Sequence, residues 1–289
     1  MQTTSTARPS RATSSVRPLV LVDVGCRWGF ADRFLNCDEV VTLYGFEPDT
    51  LESERLNSKY ATDNVQVFPV ALAGSAGYYT LYETSDPACS SMYPPDERLS
   101  TRFPALHCMK HEQTDTALAT TLEAWARSEQ VAMVDYLKID TQGSELDILH
   151  GAGALLHSIS VVDLEVQFNP LYRGAALFAE VDTYMRESGF VLWNISTLVH
   201  YSSQSLRQNG GSGISVAHDN RIQTTEADRG QLFWGDARYI NRCCFDAPSA
   251  QPSTREADTT ARLMRLLELT DVLVEREDIA SWHRAENAQ

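Results

Sequence analysis

Residues 19–30 read LVLVDVGCRWGF, and their order decides the fold. An apolar run, Leu19–Val24, carries a single acid, Asp23. Gly25 and Gly29 follow, and Phe30 and Phe34 resume an apolar rhythm at helical spacing. The pattern predicts a strand, a tight turn and the start of a helix. A continuous apolar run is what a strand covered on both faces of a parallel sheet requires.

Downstream segments repeat the theme. VVTLYGFEPD (40–49) reads as a second buried strand ending in an acid, and Asp49 can open a helix over DTLESERLNSKY. NVQVFPVALA (64–73) reads as one strand and AGYYTLYE (76–83) as another, on a hairpin or an edge. ALHCMKHEQT (105–114) reads as a strand, TTLEAWARSE (120–129) as a helix, VDYLKID (134–140) as a strand and SELDILHGAGALL (144–156) as a helix with Ser144 as N-cap and Asp147 three residues on. VVDLEVQF (161–168) and FVLWNIS (190–196) are strands, separated by a helix that stops at Gly189. QLFWGDARYINRCCF (231–245) is a hairpin or one bulged strand. Strand and helix alternate from residue 19 to about 195, which implies right-handed crossovers and an open, mostly parallel α/β sheet, with an antiparallel strand near the C-terminal end.

Around this domain, residues 18–245, the sequence predicts a Ser-, Thr- and Arg-rich leader over 1–17, a linker over 246–260 and a C-terminal amphipathic helix over 261–285, suited to packing or to a homo-oligomer contact. Residues 84–104 and 202–230 read as loops or insertions. The chain has 289 residues, 43% of them hydrophobic, and no apolar stretch of membrane-span length. Its net charge of −15 and lack of a dense Lys/Arg cluster argue against nucleic acid as a partner. Six cysteines, without Cys-x-x-Cys or zinc spacing, point to a reducing, cytoplasmic setting, and the adjacent Cys243 and Cys244 read as strand residues.

Open α/β sheets bind ligands beyond the carboxyl ends of their strands. Asp23, Glu47, Asp140 and Glu165 each stand at or near such an end. The Gly25-x-x-x-Gly29 spacing lacks the middle glycine of a dinucleotide fingerprint, and an acid ahead of it repels phosphate. A cationic ligand such as S-adenosylmethionine suits Asp23, and Glu47 can accept ribose hydroxyls, a feature that NAD enzymes share. An NAD-dependent oxidoreductase and a non-catalytic binding protein of the same fold are the alternative readings.

VDVGCRWGF, YGFEPD, VALAGSAG, YLKIDTQGSELDILHGA and VDLEVQFNPLYRG together resemble the FkbM family of S-adenosylmethionine-dependent methyltransferases, from about Leu19 to Phe245. The resemblance implies a class I methyltransferase, Rossmann-like open sheet of seven strands with the last antiparallel. It also implies O-methylation, often of hydroxyls on sugars, glycans or glycosylated natural products. Position by position, Asp23, Gly25 and Gly29 resemble the methionine-binding turn, Glu47 the ribose-binding acid, and Ala71 and Leu72 the segment whose backbone meets adenine. Family members commonly carry a small or polar residue and then Asn where this chain has Cys26 and Arg27.

For chemistry, Asp140 is the leading candidate base, Glu165 the second, and His107 and His111 further ones. Asp140 could otherwise cap the helix that follows it, and His150 reads as solvent-facing. Lys138 shares a face with Tyr136 and Asp140 and is expected to pair across strands with Glu165. Tyr172 and Arg173 are candidates for contact with a sugar. The sequence reveals no metal spacing and leaves a divalent-metal requirement open.

Overall fold

Seven strands build the central sheet of the computed structural model, which describes residues 16–202, 213–218, 221–226, 230–245 and 254–275. They are β1 (Leu19–Val24), β2 (Val41–Phe46), β3 (Val65–Phe68), β7 (Tyr136–Ile139), β8 (Val161–Gln167), β9 (Phe190–Tyr201) and β12 (Gln231–Asn241), in the order β3-β2-β1-β7-β8-β12-β9. All run parallel except β12, which is antiparallel to both of its neighbours. This is the mixed, mostly parallel α/β sheet that the alternation of elements predicts.

Period-two alternation sends the strand side chains into two cores. On one face Val22, Val24, Leu137, Ile139 and Leu164 pack against α4 (Leu122–Ser128), α5 (Glu145–Gly151) and α6 (Phe178–Glu187) through Trp125, Leu149 and Met185. On the other, Leu19, Leu21, Leu43, Tyr136 and Ile240 meet Phe34 of α1 (Asp32–Leu35), Leu56 of α2 (Thr50–Tyr60) and Leu263 and Met264 of α7 (Thr254–Leu266). None of the described helices is long and apolar enough to cross a membrane.

A second, three-stranded sheet flanks the first. NVQVFPVALA is not one strand: it breaks at Pro69, which has no N–H to donate, and β4 (Ala71–Leu72) leaves to pair with β6 (His111–Thr120), itself antiparallel to β5 (Gly77–Thr84). ALHCMKHEQT is likewise divided, into a 3₁₀ turn over Pro104–Met109 and the start of β6. Between β5 and β6 lie a second 3₁₀ turn, Pro87–Cys89, and α3 (Glu97–Arg102). Phe103, Leu106 and Met109 of this excursion pack on Leu171, Tyr172 and Trp234, which fixes it over the end of the main sheet.

Other expectations are refined. α5 ends at Gly151 and continues as a 3₁₀ turn, and Ser144 sits at its N-cap without a side-chain capping bond. Glu145 instead turns back to accept from the Thr141 and Gly143 amides, and Asp147 accepts from Tyr93. Residues 231–241 form one bulged strand rather than a hairpin, and Cys243 and Cys244 lie in a 3₁₀ turn rather than a strand. The 202–230 stretch contains an antiparallel hairpin, β10 (Gly213–His218) with β11 (Arg221–Glu226). α7 starts at Thr254, inside the expected linker, and the chain turns at 267–269 before helical residues 270–275, so the expected single C-terminal helix is broken. Most of the leader, 1–15, and positions 276–285 of the expected helix lie outside the described residues. Arg17, expected in the leader, instead forms an ion pair with Asp135 at 2.6 Å.

Candidate active site

Four charged residues stand in register across four adjacent strands. Asp23 on β1 faces Lys138 on β7, Lys138 faces Asp163 on β8, and Asp163 faces Arg238 on β12. The signs alternate. Arg238 holds Asp163 bidentately at 2.6 and 2.7 Å, and Lys138 Nζ lies 3.6 Å from Asp23 Oδ1. Burial pushes the Asp23 carboxyl above the usual range, and Lys138 opposes that shift. The register sets Lys138 between Asp23 and Asp163, and its ion pairs include Asp23 and, at 3.8 Å, Asp140.

Two residues closer to the strand ends the pattern changes to carboxylates alone. Asp140 follows β7, Glu165 lies on β8, and Asp236 is the register partner of Glu165 on β12. Ser144 holds the N-cap position of α5, and Asp140 Oδ1 accepts from Gln142 Nε2 at 2.8 Å. The same Nε2 lies 3.4 Å from both carboxylate oxygens of Glu165.

The turn after β1 needs its first glycine for close approach. Gly25 has φ +83°, and a Cβ there would lie 1.9 Å from the Asp140 carbonyl oxygen. Gly29, at φ +90°, makes room for a different neighbour. A Cβ there would meet Tyr60 Oη at 2.1 Å, the hydroxyl that accepts from the Phe30 amide. Gly29 lies outside the cleft lining. Arg27 reaches across the turn to Asp49 at 3.1 Å and Glu47 at 3.7 Å. Glu47 is buried and accepts from the Asp49 amide at 2.9 Å, and burial raises its pKa to about 7.

Part of this set lines one cleft of about 970 Å³, whereas Asp23, expected to meet the cofactor, and Lys138 lie behind its lining. Gly25, Arg27, Glu47, Ala71, Leu72, Asp140, Gln142 and Glu165 all line it, with Gly25 beside Asp140, and Ser91, Cys89 and Met109 of the excursion contribute to the wall. Tyr172 also lines it but is fully buried, with its hydroxyl 2.8 Å from Gln142 Oε1 and from the Cys89 carbonyl. It is a wall residue rather than an open stacking platform. Arg173 is exposed and outside the lining, as are His107, which is exposed, and His111, which bonds Thr114. His150 is exposed, with its ring against Tyr184. Among the described residues, no group of three or more His, Cys, Asp or Glu side chains could hold a metal ion.

The methyltransferase FkbM domain model matches residues 23–192, from Asp23 to the start of β9. The chain belongs to the FkbM methyltransferase family. Its sheet is mixed and mostly parallel, with β12 antiparallel to both of its neighbours. A curated relative, 2-O-methyltransferase NoeI from Sinorhizobium fredii (strain NBRC 101917 / NGR234), is 25% identical over 162 residues, which is 54% of this chain and 66% of the relative, just under two thirds of its length. The crystal structure of methyltransferase FkbM from Methylobacillus flagellatus KT aligns over 79% of this chain and 45% of its own, with 12% identity and a TM-score of 0.42. The 23S rRNA methyltransferase ErmE aligns over 83% and 66%, with 12% identity and a TM-score of 0.35.

Within this family, sequence reasoning missed Gln142, Ser91 and the roles of Arg27 and Glu145. The signals were segments rather than residues: CSSMYPP (89–95), which also resembles a family segment near the site, contains Ser91, YLKIDTQGSELDILHGA contains Gln142 and Glu145, and Arg27 stood out as a departure from the family pattern.

Proposed function

We propose that this enzyme uses S-adenosylmethionine to methylate a hydroxyl of a sugar, glycan or glycosylated small molecule. The observation that carries the reading is a single cleft joining the Glu47 side of the sheet to the Asp140–Glu165 side, wide enough for a cofactor and an acceptor together. The residues suit that cofactor. Asp23 Oδ1 is buried just behind the Val24–Gly25 part of the lining, 3.6 Å from Lys138 Nζ, and its charge favours a ligand ammonium on that side of the cleft. Gly25 keeps the backbone open beside it, and Glu47 offers carboxylate oxygens to a ribose diol. When bound, the cofactor supplies an electrophilic methyl group on a sulfonium.

The chain's own residues then orient the acceptor and take its proton. Asp140 and Glu165 face the same cleft and serve as base and as acceptors for neighbouring hydroxyls. Seven carboxylates line the cleft, Glu47, Asp49, Glu83, Asp86, Asp115, Asp140 and Glu165, against one guanidinium, Arg27. That lining opposes a polyanionic acceptor and supports a neutral, polyhydroxylated one. The NoeI relative is named for 2-O-methylation, which agrees in reaction type. Six free thiols suit a reducing, cytoplasmic location.

Calorimetric titration of S-adenosylmethionine and S-adenosylhomocysteine into cofactor-stripped protein tests the reading, with Glu47→Ala as control. Micromolar binding, lost in a folded variant, is expected, followed by radiolabelled methyl transfer to a panel of methyl glycosides rather than to RNA. A folded protein that binds neither compound is a non-catalytic relative of the fold.

A further inference from the structure

Gln142 is held in an unusual way for a loop residue. Its φ is +60°, in the left-handed region where a side chain is strained, and glycine follows it at 143. The strain is retained because three contacts require this residue's position. The backbone carbonyl accepts from Ser91 Oγ at 2.6 Å, and that hydroxyl in turn accepts from the Tyr93 amide. The side-chain carbonyl lies 2.8 Å from Tyr172 Oη. The amide nitrogen points the other way, to Asp140 and Glu165. Two carboxylates on that side require N–H groups, so the amide has one acceptable orientation. A left-handed glycine would make the turn without strain; the glutamine side chain is what the strain preserves.

We propose that Gln142 is a positioning residue for methyl transfer: anchored through Tyr172 and Ser91, it presents its two amide N–H groups to Asp140 and Glu165 and holds both carboxylates toward the acceptor hydroxyl. The purpose rests on the methyltransferase reading. The juxtaposition does not, and it can be tested without cofactor or acceptor. An N–H donated to a carboxylate favours its ionised form, so the two acids are kept ready to accept a proton.

Other charges around the pair stay in place when Gln142 is changed. Lys138, Asp23 and Glu145 act on Asp140. Asp236 stands in register with Glu165, and Tyr172, Tyr201 and Cys89 line the same cleft. A difference between wild type and variant therefore isolates the amide.

The experiment is carboxyl carbon-13 NMR titration of the full chain, with Asp140→Asn and Glu165→Gln used for assignment. Gln142→Gly removes the amide and relieves the backbone strain, so it should keep a cooperative thermal melt close to that of wild type. Its Asp140 carboxyl should bind a proton about tenfold more tightly than in wild type, with a smaller change of the same sign at Glu165, whose contact is longer. Gln142→Glu, which replaces N–H with a third carboxyl group, should shift both further in that direction. Tyr172→Phe should give an intermediate shift by releasing the amide. Unchanged titration of Asp140 and Glu165 in folded Gln142→Gly would overturn the proposal. A protein that shows these shifts but fails to bind S-adenosylhomocysteine would retain the clamp and sink the methyltransferase reading instead.

Discussion

Lys138 and Asp23 are register partners on neighbouring parallel strands, and Lys138 Nζ lies 3.6 Å from the buried Asp23 Oδ1. The pair belongs to the alternating series that continues through Asp163 and Arg238. Removing one member leaves an uncompensated charge in the sheet. Lys138→Met is expected to cost roughly 3 kcal/mol in urea denaturation at neutral pH. Folded Asp23 holds its proton more tightly than the unfolded chain does, so stability is lost as pH rises through its raised pKa. Without Lys138 that pKa rises further, and the deficit should be larger at about pH 8 than at about pH 5. A deficit independent of pH would show that lost packing, not charge, dominates.

Glu47 carries a stability cost of its own. Its pKa rises from 4.5 to about 7, mainly through burial. The stability associated with the bound proton is fully present below 4.5 and is lost as pH approaches about 7. Glu47→Gln keeps a neutral acceptor for the Asp49 amide. It should flatten that pH dependence and stabilise the protein above neutrality by on the order of 2–3 kcal/mol. The same variant should bind S-adenosylhomocysteine more weakly, because the carboxylate is what meets ribose in the proposed function. Unfolding curves at several pH values and one calorimetric titration read both effects, and a variant no more stable than wild type would refute the first.

Arg27 acts on Glu47 from the turn. Its guanidinium, 3.7 Å away, favours the ionised carboxyl and also holds Asp49, the N-cap of α2. Arg27→Asn should leave more Glu47 protonated at neutral pH. Binding of S-adenosylhomocysteine is expected to weaken about tenfold near pH 6.5 and to recover toward wild type near pH 8.5. Tighter binding at every pH would instead identify Arg27 as a competitor for the ribose position.

What was legible in the sequence follows from what is local. Buried runs and 3.6-residue spacing located the elements of the main sheet, because each strand there has both faces covered. The acids at the strand ends stood out because an apolar run has no packing reason to finish in a carboxylate. The break at Pro69 was harder, since Phe68 and Val70 continue an apolar pattern across it, although β3 and β4 belong to different sheets. The hairpin β10–β11 lies in a polar, glycine-rich stretch that carries little strand signal. The pairing of Lys138 with Asp23 depends on the register of β1 and β7, which a single segment does not carry. Gln142 and Tyr172 meet across 30 residues of chain, so neither residue alone announces the contact.

The C-terminal segment illustrates the same limit and yields the last prediction. Its amphipathic pattern fits a detachable dimer helix as well as a packed one. In the structure Leu263 and Met264 are fully buried among Leu19, Leu21 and Leu43, and Arg262 ties α7 to Glu39 at 2.6 Å and to the Arg17 carbonyl at 3.0 Å. α7 therefore completes the core beneath β1, the strand that carries Asp23. Leu263→Ala is expected to destabilise by about 2–5 kcal/mol through a cavity that its sheet neighbours cannot fill. The loss should appear as a shift of the whole unfolding transition, because the cavity opens into the core that α1 and α2 share. A separate early transition, with the main one unchanged, would show that α7 folds onto the sheet as an independent appendage. Cofactor binding measured between the two transitions would then show whether the site needs it.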